Sequence, residues 1–138
     1  MIIAYPYLAE LEEDGRFFVH FIDIEEAITQ ADTLEEAAFN ATEVLSGILA
    51  CRIDDNEEIP EPSACPKNGY LAFPTPKIQA VLLLKKARGD RSLTELANAM
   101  DTTWIAAQRL ESPQHWASLK QLDKAAKVLG KRLILVLE

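Results

Sequence analysis

Hydrophobic residues recur with different periods on the two sides of a proline pair, Pro74 and Pro76. Before the pair, runs rich in Ile, Tyr, Phe and Val predict four strands, at residues 2–9, 16–24, 27–30 and 70–73. Turn residues stand between the first two strands and predict a hairpin. After the prolines, helical spacing continues as far as Gly130. The pattern therefore predicts an α+β protein.

One long helix separates the third and fourth predicted strands. Thr33 is suited to cap its amino end, and Glu36 completes a capping box. A proline-containing loop follows the helix over 54–69. The order β-β-β-α-β predicts a first domain of residues 1–74, a sheet covered by one helix. The helical stripe that we expect to face inward comprises Leu34, Ala37, Ala38, Ala41, Leu45, Ile48 and Leu49.

The second predicted domain, residues 77–138, is helical. Ser92 and Thr103 are suited to cap its second and third helices, and Gly130 to end its last one. The tail after Gly130 is almost entirely Leu, Ile and Val between its charged ends, which predicts a C-terminal strand. The four helices are predicted at 78–88, 93–100, 104–111 and 119–129.

The middle two of these helices predict a helix-turn-helix, because small Ala97 facing small Ala107 lets them cross closely. The same stretch carries a spaced set of residues: Glu95, Leu96, Ala97, Thr103, Arg109 and Glu111. In these residues it resembles the lambda-repressor-like family. Asp101 replaces the usual turn glycine, which is tolerable because Asp enters left-handed backbone readily, and Ala107 replaces the usual Val. An ordinary helical hairpin is the alternative.

The first domain carries two sequence motifs. The first comprises Gly15, Val19, Phe21, Asp23, Ile24, Thr29, Asp32, Thr33, Glu35, Glu36 and Ala37, and the second comprises Ile59, Pro60, Pro62 and Ser63. In these residues the domain resembles the HicB antitoxins, although Ile22 and Ala31 depart from the usual Pro and Gly of that family. The resemblance implies a partial ribonuclease-H-like domain that binds a small basic HicA toxin. That toxin is an mRNA-cleaving ribonuclease with a double-stranded-RNA-binding-domain-like fold and a catalytic His. The resemblance also implies that the second domain represses the operon.

The two halves of the sequence also differ sharply in net charge. Residues 1–70 carry 3 Lys/Arg against 16 Asp/Glu, a net −13, and residues 71–138 carry 11 against 6, a net +5. The basic half suits phosphate contact. The acidic half suits a basic protein partner, although acidic residues more commonly serve solubility alone.

Two further features bear on the cellular setting. The apolar runs are too short to span a bilayer, and the amino terminus lacks the features of a signal peptide. Cys51 and Cys65 form no CxxC pair or metal-ligand cluster. We therefore expect a cytoplasmic protein with no membrane partner, no metal and no cofactor.

The side chains predicted to contact DNA lie on the second motif helix and the helix after it. Arg can bind guanine, Gln can bind adenine, and Ile or Trp can contact a thymine methyl. Three alternatives stay open: Arg109 forms an ion pair within its domain, Trp104 is a core residue, and the two lysines are merely solvated. The set is Thr103, Trp104, Ile105, Gln108, Arg109, Lys120 and Lys124.

No residue is assigned a catalytic role. Asp23, Glu25 and Glu26 are close together, but ribonuclease-H chemistry gathers carboxylates from distant elements around two metals, so surface acidity is the better interpretation. His20 has no suitable partner at a convincing spacing, and His115 stands in a loop near the motif.

Together these features predict an antitoxin that inhibits a ribonuclease toxin and represses its own operon. The alternative is a ligand-responsive repressor with no toxin partner, and an active nuclease is a weaker third possibility. A repressor of an inverted repeat is two-fold symmetric, so we expect a homodimer or higher oligomer, joined through the tail 131–137. The competing interpretation is that this tail folds back on its own sheet or continues as a helix.

Overall fold

Three antiparallel strands begin the chain, and a fourth joins them after a long helix. The computed structural model describes all 138 residues. The strands are β1 (Tyr5–Leu11), β2 (Phe17–Phe21), β3 (Ile28–Ala31) and β4 (Tyr70–Ala72), in the spatial order β3-β2-β1-β4. Every neighbouring pair is antiparallel. All four predicted strands are present, and β4 returns to pair with β1.

The long helix α1 (Leu34–Asp54) packs on one face of this sheet. Thr33 caps it by accepting a hydrogen bond of 3.1 Å from the Glu36 N–H. The predicted inward stripe is correct for the i, i+4 row Ala37, Ala41, Leu45 and Leu49, which is buried. It is wrong for Leu34, which is 45% exposed, and for Ala38, which is exposed, because both lie beside that row rather than on it.

The loop after α1 is attached to the sheet by side-chain hydrogen bonds. Tyr5 donates its hydroxyl to the Pro60 carbonyl at 2.7 Å. Asp23 accepts from the Ser63 N–H at 2.9 Å and also from the Ser63 hydroxyl. Burial, with the nearby carboxylates of Glu61 and Asp23, raises the pKa of Tyr5 to about 12. These bonds place the Pro60–Ser63 segment against the first strands.

The chain divides into two compact units, residues 1–78 and residues 79–138. Helix α2 (Pro76–Arg88) crosses this division and begins with a proline, a residue that is favoured at the first helical position. Within unit 2 follow α3 (Leu93–Ala99), α4 (Trp104–Arg109) and α5 (Leu119–Val128). No helix of the protein combines the length and apolarity needed to cross a membrane.

The core of unit 2 lies where these helices pack together. Its members come from α2, the α3–α4 pair and α5, and all are at most 6% exposed. They include the facing pair Ala97 and Ala107 that the sequence predicts. The full set is Leu84, Leu96, Ala97, Met100, Ala107, Leu110, Ala125 and Leu129.

The C-terminal strand is the part of the predicted fold that the single chain does not form. Residues 131–138 adopt neither strand nor helix, although Gly130 ends α5 with a positive φ of 74° as predicted. A strand needs a hydrogen-bonding partner, and unit 2 contains no other strand. The tail also does not pair with its own chain's sheet, which contains only β1 to β4.

Candidate nucleic-acid interface

The turn between α3 and α4 is built on one left-handed residue, Asp101, with φ of 54°. The Asp101 N–H bonds the Asn98 carbonyl at 3.1 Å, and the Thr102 N–H bonds the Ala97 carbonyl at 2.9 Å. This pair of bonds is the Schellman arrangement that ends many helices. The predicted tolerance of Asp at the usual glycine position is confirmed.

Helix α4 starts immediately after this turn. Thr103 caps it, with its hydroxyl oxygen accepting from the Ala106 N–H at 3.1 Å. The two helix ends that flank the turn are therefore both held by local hydrogen bonds, α3 at its carboxyl end and α4 at its amino end. Because the connection is short, the start of α4 is fixed relative to the end of α3.

The two sides of α4 differ completely in burial. Ala107 is fully buried and Leu110 is 3% exposed. Trp104 and Gln108 form one i, i+4 row on the outer side, and Ile105 and Arg109 form the next. All four are exposed, with 52% for Trp104 and 59% for Ile105. The side chains of α4 that were proposed to reach bases therefore share one exposed face, and Trp104 is not a core residue.

A buried ion pair holds the carboxyl end of α4. Arg88, at the end of α2, donates to both carboxylate oxygens of Glu111, from Nε at 2.6 Å and from Nη2 at 2.8 Å. The Glu111 side chain is 6% exposed and that of Arg88 is 18% exposed. The hydrogen bonds to Glu111 raise the pKa of Arg88. Arg88 therefore takes the internal ion-pair role that the sequence left open for Arg109, which makes no ion pair.

Arg91 extends this connection to α5. The Arg88 Nη1 donates to the Arg91 carbonyl at 2.6 Å, and the Arg91 Nη2 donates to the Leu129 carbonyl at 3.3 Å. The ends of three helices thus meet at two guanidinium groups. Sequence reasoning did not predict this network. The available signal was that Glu111 matches the lambda-repressor-like pattern although it lies in no obvious charge pair.

The two lysines proposed to contact phosphate lie beside the α3–α4 turn. Lys120 and Lys124 are exposed and line an open groove of about 240 Å³ with Thr102 and Ala106. A reciprocal capping box fixes the start of α5: Gln121 N–H donates to the Ser118 hydroxyl at 3.1 Å, and Ser118 N–H donates to the Gln121 side chain at 2.9 Å. This groove is smaller than the usual range of small-molecule sites.

The carboxylates of unit 1 serve local structure. Asp23 holds Ser63, and Glu26 forms a bidentate pair with Arg52 at 2.6 and 3.1 Å. That hydrogen bonding lowers the pKa of Glu26. No three or more His, Cys, Asp or Glu side chains are grouped so as to hold a metal ion. Surface acidity is therefore an incomplete description, since two of the three carboxylates anchor a loop or a helix end.

The similarity to known proteins extends over both units of the chain. Residues 4–76 match the family model described as HicB_like antitoxin of bacterial toxin-antitoxin system. The chain belongs to the HicB-like antitoxin family. It is 36% identical over 138 residues to Antitoxin HicB 1 of Photorhabdus laumondii subsp. laumondii, covering 99% of this chain and 88% of that protein.

More distant relatives extend over the same length. Antitoxin HicB of Escherichia coli K12 is 32% identical over 137 residues, covering 98% of this chain and 99% of the relative. Antitoxin HicB of Pseudomonas fluorescens is 26% identical, covering 99% and 96%. The relatives of this HicB-like antitoxin therefore include both its sheet unit and its helical unit.

The family match includes the loop that is attached to the sheet. The matched residues cover β1 to β4, α1 and the connection between α1 and β4. Asp23, of the motif over residues 15–37, and Ser63, of the motif over residues 59–63, are hydrogen-bonded partners. Two family motifs that are distant in sequence thus form one structural contact.

Proposed function

We propose that this HicB-like antitoxin binds and inhibits a small basic HicA-like mRNA-cleaving toxin and represses its own operon by binding operator DNA. Residues 1–74 carry the toxin-binding activity, and residues 77–138 carry DNA binding and dimerisation. The protein is then a homodimer or a higher homo-oligomer. No catalytic step, metal or cofactor is assigned to it.

The DNA-binding proposal rests on the exposed face of α4, which carries Trp104, Ile105, Gln108 and Arg109. This face is the observation that carries the proposal, because Arg109 has no ion pair while Glu111 is satisfied by Arg88. Arg109 and Gln108 supply the side chains that bind guanine and adenine edges bidentately. A helix displaying them beside a tight turn has the geometry of a recognition helix in a helix-turn-helix.

Phosphate contacts complete the proposed interface. Lys120 and Lys124 border the groove beside the turn. Thr103 uses its hydroxyl oxygen as a cap, which leaves its hydroxyl hydrogen available to a phosphate. Because residues 71–138 carry a net +5, their field favours DNA at long range.

The toxin-binding proposal rests on the family membership and on charge. Residues 1–70 carry a net −13, which would repel nucleic acid and attract a basic protein. The acidic unit can therefore bind a basic protein while the basic unit binds nucleic acid, and the two units do not compete for the same partner.

Co-expression with the adjacent gene tests the proposal. We expect a small basic protein to co-purify with the chain, to cleave mRNA when freed from it, and to lose that activity when the chain is restored. The purified chain should also bind its own promoter at an inverted repeat with half-sites about one helical turn apart. Promoter binding without any co-purifying toxin would instead support a ligand-responsive repressor.

A further inference from the structure

The uncovered face of the sheet in unit 1 is unusually apolar for a face that no helix covers. Strand register places Leu8, His20 and Ile28 side by side across three strands. Ile28 is 51% exposed. Leu71, opposite Pro6 on the same face, is also 51% exposed. An antiparallel sheet that meets water on one side usually carries polar residues there, so this face is suited to a partner.

A stacked pair of rings lies in the middle of this face. Phe18 and His20 stack with ring centroids 5.2 Å apart. Glu10 lies 3.3 Å from the His20 ring nitrogen, so one carboxylate borders the apolar cluster. The opposite face holds the buried residues Tyr7 and Val19 and is covered by α1. Pro6 is the buried member of the open face, so the accessible surface consists of the half-buried Leu8, Phe18 and His20 and the exposed Ile28 and Leu71.

Charge at one end of the sheet selects the partner. The end row pairs Leu11 with Phe17 and Phe17 with Ala31, so the hairpin and the residue after β3 meet there. That end carries five carboxylates and one arginine, which pairs with Asp32 at 3.2 Å. A second copy of this acidic unit, or a nucleic acid, would be repelled, and a basic protein would be attracted. The charged residues are Glu10, Glu12, Glu13, Asp14, Asp32 and Arg16.

Docking on the face also fits the strand lengths better than docking on an edge. The two edge strands, β3 and β4, have four and three residues. Such short edges offer few backbone groups for an added strand. The face, in contrast, offers side chains from all four strands.

We propose that the basic toxin docks on the open face of the sheet, with Ile28, Leu71 and Phe18 in the apolar contact and the acidic hairpin end against basic toxin residues. This inference rests on the proposed function and names the surface that performs it. It leaves α1, on the other side of unit 1, outside the interface.

Matched lysine substitutions test this surface in the full-length chain. Ile28→Lys and Leu71→Lys place a cation on the open face at half-exposed positions. Phe39→Lys makes the same change on α1 at a side chain that is 67% exposed. With the basic protein from the adjacent gene as the probe, we expect about 30-fold weaker binding for each sheet variant, the loss typical of an interface hot spot, and less than about threefold for Phe39→Lys.

The outcomes separate the surface from the function. A parent chain that does not bind the basic protein refutes the proposed function and this inference together. A parent that binds, with weakening by Phe39→Lys but not by the sheet variants, overturns only the surface. The surface is equally overturned if a sheet variant changes the oligomeric mass in light scattering while toxin affinity is unchanged, since a second copy would then be the occupant.

A measurement on the parent chain keeps the test valid if a sheet variant does not fold. Methyl NMR should show toxin-induced shifts for Leu8, Ile28 and Leu71. Val44, which is half-buried in the middle of α1 and away from the acidic end, is the control and should not shift. Shifts confined to Val44 and its neighbours on α1 would overturn the proposed surface.

Discussion

Arg109 and Lys120 are both exposed cations of unit 2, and we propose different DNA contacts for them. Arg109 projects from the outer face of α4, and Lys120 lies in the groove beside the turn. Base edges are read by bidentate side chains on a recognition helix, whereas lysines beside it contact phosphate. In the proposed complex, Arg109 therefore contributes to specificity and Lys120 to general affinity.

We expect Arg109→Ala to weaken operator binding by roughly 1–3 kcal/mol and to relax the preference at one base position. Lys120→Ala should weaken binding to operator and unrelated DNA alike. Gel-shift titrations against the operator and its single-base variants measure both effects. If Arg109→Ala left affinity and base preference unchanged, α4 would not be the recognition helix.

The Glu26–Arg52 pair gives unit 1 a pH dependence with a definite sign. Arg52 holds the folded-state pKa of Glu26 below its ordinary value of 4.5. The contribution of the pair to the free energy of unfolding is therefore present above that ordinary value and is lost as pH falls through the lower folded-state pKa. Because 46% of the Glu26 side chain is exposed, the contribution is at most about 1 kcal/mol.

We expect Glu26→Gln to be less stable than Glu25→Gln at neutral pH, and the difference to disappear in acid. Glu25→Gln removes a carboxylate from the same turn but no ion pair. All three tyrosines lie in unit 1 and both tryptophans in unit 2, so tyrosine absorbance reports on the unfolding of unit 1. A difference that grew as pH fell would contradict the sign argued here.

Individual contacts were the least predictable part of the site. The sequence predicted which side of α4 is exposed, because Ala107 and Leu110 recur at helical spacing. It did not predict that Arg88, among several nearby cations, pairs with Glu111. That choice depends on how α2 meets the end of α4, which is a tertiary relation and leaves no periodic signal.

At the scale of elements, α1 contains a glycine at a position where neither the backbone conformation nor the available space requires one. Gly47 lies in the third quarter of the helix, is exposed, and has open space where a Cβ would stand. Gly15, in the β1–β2 hairpin, also has open space but adopts φ of +84°. The two positions differ in backbone conformation and not in room for a side chain.

We expect Gly47→Ala to stabilise unit 1 by about 0.5–1 kcal/mol, because alanine loses less backbone entropy in a helix. Gly15→Ala should destabilise it by about 1–2 kcal/mol, because left-handed backbone is unfavourable for alanine. Urea unfolding followed by tyrosine absorbance measures both in the same transition. Equal changes in the free energy of unfolding for the two substitutions would show that a Cβ at position 15 does not strain the hairpin.

Elements were predicted well wherever local chemistry decides them. Thr33, Ser92 and Thr103 each cap a helix, and Gly130 ends one, as the sequence indicates. Several observed helix ends differ from the predicted ends by one to three residues, because fraying and packing, rather than capping alone, determine the last turn. The attachment of the 54–69 loop was not predicted, since the bond from Ser63 to Asp23 joins residues forty apart in sequence.

At the scale of the whole molecule, the charge division separates the two binding activities that we propose. A steered association between the acidic unit and a basic toxin weakens as salt rises, and so does phosphate binding by the basic unit. DNA recognition places a further requirement on the assembly, because an inverted repeat is read by a two-fold symmetric protein.

The tail is the segment best suited to join two copies. Ile134, Leu135 and Val136 are between 65% and 75% exposed, and Leu137 is fully exposed. Within one chain the tail has no strand to pair with, and most of its apolar side chains are exposed. Pairing with the same segment of a second copy would supply strand hydrogen bonds and cover those side chains, whereas leaving the tail unpaired would invite aggregation.

We expect deletion of residues 133–138 to give a monomer in light scattering that keeps a folded unit 1 and binds the operator poorly. Val136→Lys should act in the same direction, because it puts like charges close together across the paired strands. Ile2→Lys is the matched control, since Ile2 is 73% exposed near the other terminus. A truncated chain that stayed dimeric would place the seam in unit 1 or among the helices of unit 2, and the tail would then have to be explained without a second copy.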